Sequence, residues 1–355
     1  RHPDFVDQII NDGKCDMVGM GRGILAEREW VKKCAEGRED ELRYCISCMN
    51  CFNVNPFSYE QTNCSVNPFA LREGSKRPLM VNGAGRVVAI VGAGPAGMEA
   101  AVTLKQRGFD VVVFDKRDEI GGNLHVAKKP PFKGKFEWAI DHYKSMAKKL
   151  NITMKLGKEV TAQEVLALKP YSILVATGSN VISIPLEGLD QVQTVQAHDV
   201  LVNDMQFANK KVVVIGGGIT GLETALYINR QGTNQVSVVD MLPEWPVDML
   251  DMRYQNEALL EVRHCNDQGV TLYYNNKVVK FADGKLFIES TKDGEAKALP
   301  ADVIVLSVGV KPNDALWQEL LASGHPSVWK AGDAIATGKI NKAVLHGSKF
   351  GYSLN

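Results

Sequence analysis

Apolar and polar positions divide the chain into stretches of unlike character. Between residues 3 and 12, Phe5, Val6, Ile9 and Ile10 recur at helical spacing, and Gly13 ends the helix they predict. Cys15 to Met20 reads as a short buried strand, followed by Gly21-Arg22-Gly23 and a second helix from about Glu27 to Glu36. One such unit cannot close a sheet and needs neighbouring strands that this chain does not supply. Residues 38–78 hold no sustained period and are rich in Asn, Pro and Ser, as expected of loops held by something other than a hydrophobic core.

From Arg86 the pattern changes. The run VVAIVGAGPAG (87–97) is continuously apolar up to its glycines, which predicts a strand buried on both faces. A helix over Met98–Arg107 and a strand over Val111–Asp115 follow. The run KVVVIGGGITG (211–221) repeats this design, with a helix over Leu222–Arg230 and a strand over Val236–Asp240. Gly92 and Gly216 open the two glycine motifs 124 residues apart, which marks a duplicated unit, not a short solenoid repeat. Lys277 to Ser290 reads as meander strands inside the second unit, and residues 301–309 as another buried strand.

Each glycine motif has a physical role at each position. Gly92 permits the tight strand-to-helix turn, Gly94 lets backbone approach a pyrophosphate at the helix N-terminus, and Gly97 permits close helix–strand packing. Asp115, 23 residues after Gly92, is placed to accept hydrogen bonds from a ribose diol. Gly216, Gly218, Gly221 and Asp240 repeat the set, and an acid at position 240 favours NAD over NADP because it repels a 2′-phosphate. A lone motif of this kind is weak. Here both copies carry the preceding strand, the following helix and the terminal acid.

The 355 residues fit about two or three domains. Lys plus Arg and Asp plus Glu are 41 each, so the balance gives no basic footprint for nucleic acid. No stretch approaches the ~18 apolar residues of a membrane span, and the N-terminus has no export signal pattern; a cytoplasmic compartment is expected. The chain opens at Arg1 in mid-helix, as expected of a piece of something longer. Four of its seven cysteines, Cys45, Cys48, Cys51 and Cys64, have the spacing C-x2-C-x2-C-x12-C. Three thiolates so close together can wrap one face of a [4Fe–4S] cubane, with the fourth arriving from a loop. Structural zinc is the alternative, but two separated knuckles would leave the third cysteine unexplained. Unliganded thiols are the remaining reading. Cys15, Cys34 and Cys265 fall outside the pattern and read as ordinary buried thiols.

These motifs resemble those of the two-dinucleotide flavoproteins, the pyridine-nucleotide-dependent flavin reductases. In that family the first unit binds FAD and the inserted second unit binds NAD(P)H. Gly121-Gly122 resembles the family's second FAD loop, Ala176-Thr177-Gly178 its crossover motif, and Ala331-Gly332-Asp333 the late motif near the FAD ribityl and phosphates. The order of barrel-like end, four cysteines, FAD-type unit and NAD-type unit resembles the iron–sulfur flavoenzymes of the old yellow enzyme branch. That branch includes 2,4-dienoyl-CoA reductase, 2-enoate reductase and trimethylamine dehydrogenase. Residues 16–22 look like its last barrel strand, where the Gly21-Arg22 pair would lie at an FMN phosphate. Ala26-Glu27-Arg28 departs from the family's Ala-Asp-Pro there, and the cysteine spacing agrees better with the amine dehydrogenases than with dienoyl-CoA reductase.

The resemblance implies an α/β chain: 1–40 the end of a TIM barrel, 41–78 the [4Fe–4S] segment, 79–180 with 310–355 the FAD-binding domain, and 181–309 the NAD(H)-binding domain. It implies electrons passing from NADH to FAD, to the cluster and to FMN, for reduction of an activated C=C bond. The barrel lying before Arg1 would hold the small-molecule substrate, the proton donor and most of the FMN site, so no catalytic residue is named. A homo-oligomer is possible on this reading. An amine-dehydrogenase-like protein with ADP in the first unit and a silent second unit is the alternative. A non-catalytic nucleotide- or zinc-binding module is the third. The seven His are scattered without metal spacing, although His125 follows Gly122 closely enough to approach a flavin. Trp245-Pro246 reads as a loop anchor, Lys128-Lys129-Pro130-Pro131 as a solvated turn, and Val310 to Asn313 as a structural turn back to the FAD unit.

Overall fold

The computed structural model describes residues 2–52, 63–75, 78–243 and 255–355. Trp245-Pro246 lies outside them. The first expected helix forms as α1 (Pro3–Asn11), and Gly13 beyond it is left-handed at φ +65°. The expected strand at Cys15 to Met20 does not form: the segment joins no sheet, and Met17 is 82% exposed. A single strand has nothing to pair with here, so its polar backbone stays open. The expected helix over Glu27–Glu36 forms as the shorter α3 (Trp30–Ala35), and a helix that was not expected, α2 (Arg22–Ala26), precedes it. Glu27 is extended between them, and its buried carboxylate accepts from the Glu29 amide and the Lys33 ammonium, holding the break open.

The chain then runs through β1 (Val87–Val91), α4 (Pro95–Gln106), β2 (Asp110–Phe114), α5 (Leu124–Ala127), α6 (Glu137–Lys149), β3 (Thr153–Lys155), α7 (Ala162–Leu166) and β4 (Ser172–Val175). After β5 (Ser179–Val181) come β6 (Gln193–Gln196), α8 (Ala197–Val202), β7 (Lys211–Ile215), α9 (Ile219–Asn229), β8 (Gln235–Val239), α10 (Gln255–Asp267) and β9 (Thr271–Tyr273). A meander of β10 (Asn276–Ala282), β11 (Lys285–Ser290) and β12 (Ala296–Pro300) precedes β13 (Val303–Leu306). The chain closes with β14 (Val310–Pro312), α11 (Ala315–Ala322), β15 (Val328–Lys330) and α12 (Ile340–Ser353).

Two five-stranded parallel sheets result, ordered β15-β4-β1-β2-β3 and β6-β13-β7-β8-β9. They share one design: the strand before each glycine motif is central, flanked by the strand that ends in an aspartate and by a later strand that returns. The antiparallel pair β5–β14 joins them where the chain crosses over and comes back. The meander matches expectation, with β12 added. Its sequence Ala-Lys-Ala-Leu-Pro is mostly exposed and shows no clear alternation.

Helix α4 starts at Pro95, earlier than the expected Met98. Gly94 is its N-cap, and Pro95 supplies a preset φ at the first turn, where its absent N–H costs nothing. Helix α12 lies against α4 by backbone-to-backbone approach. A Cβ on Gly347 would stand 2.1 Å from the Ala96 carbonyl oxygen, and one on Gly351 2.6 Å from the Thr103 side chain. Among the described residues no helix is long and apolar enough to cross a membrane.

Candidate functional site: two nucleotide cradles and a cysteine loop on one cleft

In both units the glycine motif is tightened by the strand that returns beside it. Gly92 has φ +115°, and a Cβ there would lie 2.1 Å from the Ala176 carbonyl oxygen. Gly216 has φ +108°, and a Cβ there would lie 2.2 Å from the Ser307 carbonyl oxygen. Only glycine fits such a turn. One helical turn on, a Cβ at Gly97 or Gly221 would stand 1.9 Å from the carbonyl oxygen of Gly92 or Gly216. Gly97 and Gly221 therefore lie beneath the ligand surface and set how closely each helix meets its strand. Gly94 and Gly218 cap α4 and α9 without any side-chain cap, so the first amides of both helices point outward undisturbed.

The two acids also act alike. Asp115 accepts from the Ala93 amide (2.6 Å) and the Arg117 amide (2.8 Å); Asp240 accepts from the Gly217 amide (2.6 Å) and the Leu242 amide (2.8 Å). Each carboxylate thus ties the end of its strand to its glycine loop. Gly121 donates its amide to the Ala93 carbonyl (2.9 Å), and a Cβ on Gly122 would come within 2.8 Å of the Gly94 Cα, so this second loop is packed directly on the first.

All of this opens on a single cleft of about 1870 Å³. Small-molecule sites usually occupy ~300–1,000 Å³, so the cleft has room for two dinucleotides. Gly92, Gly94, Asp115 and Gly122 line it from the first unit, with Ala176, Thr177 and Gly178 at the crossover. Gly216, Gly218 and Asp240 line it from the second unit, and Gly332 and Asp333 from the returning chain. Asp333 accepts from the Gly338 amide (3.1 Å) and the Ser179 hydroxyl (3.4 Å), and burial holds its carboxyl above the usual range. Gly332 is left-handed, and a Cβ there would be 3.0 Å from that of Ala96, which places this motif over the start of α4.

Several residues of the cleft were not singled out in the sequence. Ser307-Val308-Gly309 is the second unit's counterpart of Ala176-Thr177-Gly178; its signal, a buried strand running into a small residue and a glycine, is present in the sequence. Lys133 and Phe136 also line the cleft. They follow the stretch Lys128-Lys129-Pro130-Pro131, expected to be a solvated turn, and that expectation fails. Pro130 is buried, Lys129 pairs with Asp204, and Lys133 pairs with Glu223 on α9, so the loop bridges the two nucleotide units. Phe132 in this loop is left-handed (φ +68°) and lies against Arg230, whose guanidinium carbon is 4.5 Å from the ring centroid. His125 does not reach the cleft: it is buried, 2.9 Å from the Ile120 carbonyl oxygen.

All seven cysteines are free thiols. Ser47 and Met49, both left-handed at φ 56°, flank Cys48 and coil the loop so that Cys45 and Cys48 lie within electrostatic reach of Cys51 and Cys64. Cys45, Cys48 and Cys64 pack against a small core of Ala26, Ile46, Val66, Leu124, Phe136, Ala139 and Ile140. Burial pushes the Cys64 thiol up to about 11, and burial followed by the neighbouring Cys48 and Cys45 raises that of Cys51. Among the described residues no three His, Cys, Asp or Glu side chains stand close enough together to hold a single metal ion. Cys48 faces the nucleotide cleft and is 3.2 Å from the Ser65 hydroxyl. Gly21 and Arg22 lie away from the cleft at the start of α2, with the Arg22 guanidinium 2.7 Å from the Met49 sulfur, beside the cysteine loop. Cys265 is fully buried as expected, but Cys15 and Cys34 are half-buried.

Two cradles for dinucleotides, one inserted in the other and facing it across a shared cleft, define a nucleotide-dependent flavin oxidoreductase. Residues 86–344 match the family model described as pyridine nucleotide-disulphide oxidoreductase. The chain belongs to that family, in the branch of flavoenzymes allied to old yellow enzyme. It is 33% identical over 363 residues to an NADH oxidase of Thermoanaerobacter brockii, an alignment that covers 100% of this chain and 54% of that protein. It is 30% identical to a cinnamate reductase of Clostridium sporogenes, over 90% of this chain and 47% of that one. A solved structure of a 2-naphthoyl-CoA reductase complex superposes with a TM-score of 0.89 at 29% identity, over 99% of this chain and 52% of the other. The chain therefore spans about half the length of these relatives.

Proposed function

We propose that this chain is the electron-input half of an NADH-dependent flavoenzyme. NADH would be oxidised at the second unit by FAD held in the first. Its electrons would pass singly to a [4Fe–4S] cluster on Cys45, Cys48, Cys51 and Cys64, and then to FMN in a domain outside these 355 residues. Each turnover converts NADH to NAD⁺, moves two electrons and leaves their proton to solvent or substrate. The final acceptor on this reading is an activated C=C bond of a small enoyl or enone compound. The named activities of the cinnamate and 2-naphthoyl-CoA reductases support that choice.

The observation that carries the reading is the single cleft reached by both glycine loops and by Cys48. The first cradle fits FAD, because the cleft continues past the pyrophosphate position to Asp333, Thr337 and Lys339, a reach that ADP alone does not need. Bound FAD supplies the exchange between two-electron hydride chemistry and one-electron transfer. Cys45, Cys48 and Cys51 on a tightly coiled loop, with Cys64 within electrostatic reach of them, fit a cluster, whose ligands stand at separate corners of a cube and do not converge on one ion. The residues of the chain would bind and orient: α4 and α9 receive pyrophosphates at their N-termini, and Asp115 and Asp240 receive ribose hydroxyls. Leu124 and Phe136 line the cleft and pack in one small core with Cys45, Cys48 and Cys64. The amine-dehydrogenase-like alternative needs a silent second unit, yet Asp240 and the Gly216 turn are as fully formed as their counterparts in the first.

An anaerobic NADH titration of the cofactor-replete protein tests this. Flavin absorbance near ~450 nm should bleach at one NADH per flavin, with the cluster absorbance following. An unchanged flavin band in the presence of an intact cluster would overturn the reading in favour of a silent second unit.

A further inference from the structure

The two glycine motifs share one residue beyond the glycines. Glu99 and Glu223 each stand two places after the third glycine, and both are buried. Each meets a cation from the preceding part of the chain: Glu223 takes Lys133 of the first unit, and Glu99 takes Arg43 of the cysteine segment. We propose that Arg43 and Glu99 are positioning residues that fix the spacing between the cysteine-bound cluster and the flavin cradle on α4. The proposal rests on the cluster and FAD reading above.

The geometry joins three places at one guanidinium. Arg43 is two residues before Cys45, Val66 is two after Cys64, and Glu99 is two after Gly97. Arg43 donates Nη1 to Glu99 Oε2 (2.8 Å) and Nη2 to Glu99 Oε1 (3.0 Å), a two-pronged pair, and Nη1 also reaches the Val66 carbonyl at 2.6 Å. Both ends of the cysteine segment are therefore tied to the helix whose N-terminus forms the first cradle. The Tyr143 hydroxyl donates to Glu99 Oε2 at 3.1 Å from α6 and gives the carboxylate a third bond. The Glu99 side chain is 3% exposed and that of Arg43 18%, so water does not loosen the pair. Single-electron transfer weakens steeply with separation, so a clamp at this place governs the flavin-to-cluster step and leaves the NADH-to-flavin step alone. A lysine at position 43 keeps the charge but not the fork.

The test uses the full-length holoenzyme carrying Arg43→Lys, mixed with NADH under anaerobic stopped flow. Flavin bleaching should proceed at the unaltered rate, while reduction of the cluster slows by about tenfold or more, within the ~100-fold that a full ångström of misplacement can cost. The low-temperature electron paramagnetic resonance signal of the chemically reduced cluster should keep its full intensity. Cluster reduction at the unaltered rate would overturn the proposal, and so would an equal slowing of both phases, which marks a general folding defect. If Arg43→Lys does not retain iron, Tyr143→Phe leaves the ion pair in place, removes only the third bond and is read in the same way. Absence of iron and acid-labile sulfide from the unaltered protein would instead overturn the function beneath the proposal, and the proposal with it.

Discussion

Gly221→Ala separates a working second nucleotide site from a silent one. The added Cβ would lie 1.9 Å from the Gly216 carbonyl oxygen and 3.3 Å from the Ser307 hydroxyl oxygen. To reach ordinary contact the α9 backbone and the turn must part by about 1.5 Å. The first amides of α9 move with it, and they are the groups a nicotinamide dinucleotide's pyrophosphate would use. An ångström of misplacement costs about 100-fold in a positioned reaction, so the NADH-dependent rate of flavin bleaching should fall by about that factor. Overpacking of this kind costs about 1–3 kcal/mol of stability, so the variant should still fold. Flavin content should be unaltered, because Gly97 performs the equivalent packing in the first unit. Stopped-flow reduction by NADH, with a thermal melt alongside, makes the measurement. Wild-type bleaching in a folded Gly221→Ala protein would refute the assignment of the second unit to NADH.

Two further outcomes follow from the same geometry. Asp240→Asn keeps the side-chain shape but removes the charge that holds the Gly217 and Leu242 amides and disfavours a 2′-phosphate; NADH affinity should fall by about 10–100-fold, and the preference over NADPH should shrink, both read by titration. His142 on α6 is buried, and burial followed by the charges of Arg43 and Lys33 keeps its imidazole neutral well below the usual 6.5. Below about pH 6.5 the unfolded chain takes up a proton that the folded one refuses, so stability present above that pH is lost as pH falls, by up to about 1.4 kcal/mol per unit. Urea midpoints at neutral and mildly acidic pH should show this dependence flattened in His142→Gln.

The glycine motifs were legible because their signals are local: an apolar strand, a turn that only glycine can make and a helix start occupy eleven consecutive residues. Asp115 and Asp240 were legible for a related reason, being fixed by the length of one helix and one strand. What the sequence did not show depends on partners far along the chain. Lys129 and Lys133 look like solvent-facing lysines until Asp204 and Glu223, some 75 and 90 residues on, come into contact with them. Arg43 has the same character, because its carboxylate lies 56 residues away. Cys15 to Met20 failed for the opposite reason: the apolar pattern of a strand is present, but pairing is a property of neighbours.

One fold used twice must acquire its difference from what packs beside it. The two cradles are nearly interchangeable in their turns, their caps and their acids. What distinguishes them is the cation that reaches the buried glutamate of each helix. In the first unit it comes from the cysteine segment, and the same helix α4 carries α12, which Gly347 and Gly351 bring onto it at backbone distance. In the second it comes from the bridging loop of the first unit, so that α9 is tied directly to the first unit. A buried charge removed from its partner costs several kcal/mol, so each pair strongly disfavours any other arrangement of its two modules. The order cysteine segment, first unit, second unit is thus held in space as it is in sequence. That order is what the proposed supply of electrons from nicotinamide to cluster requires.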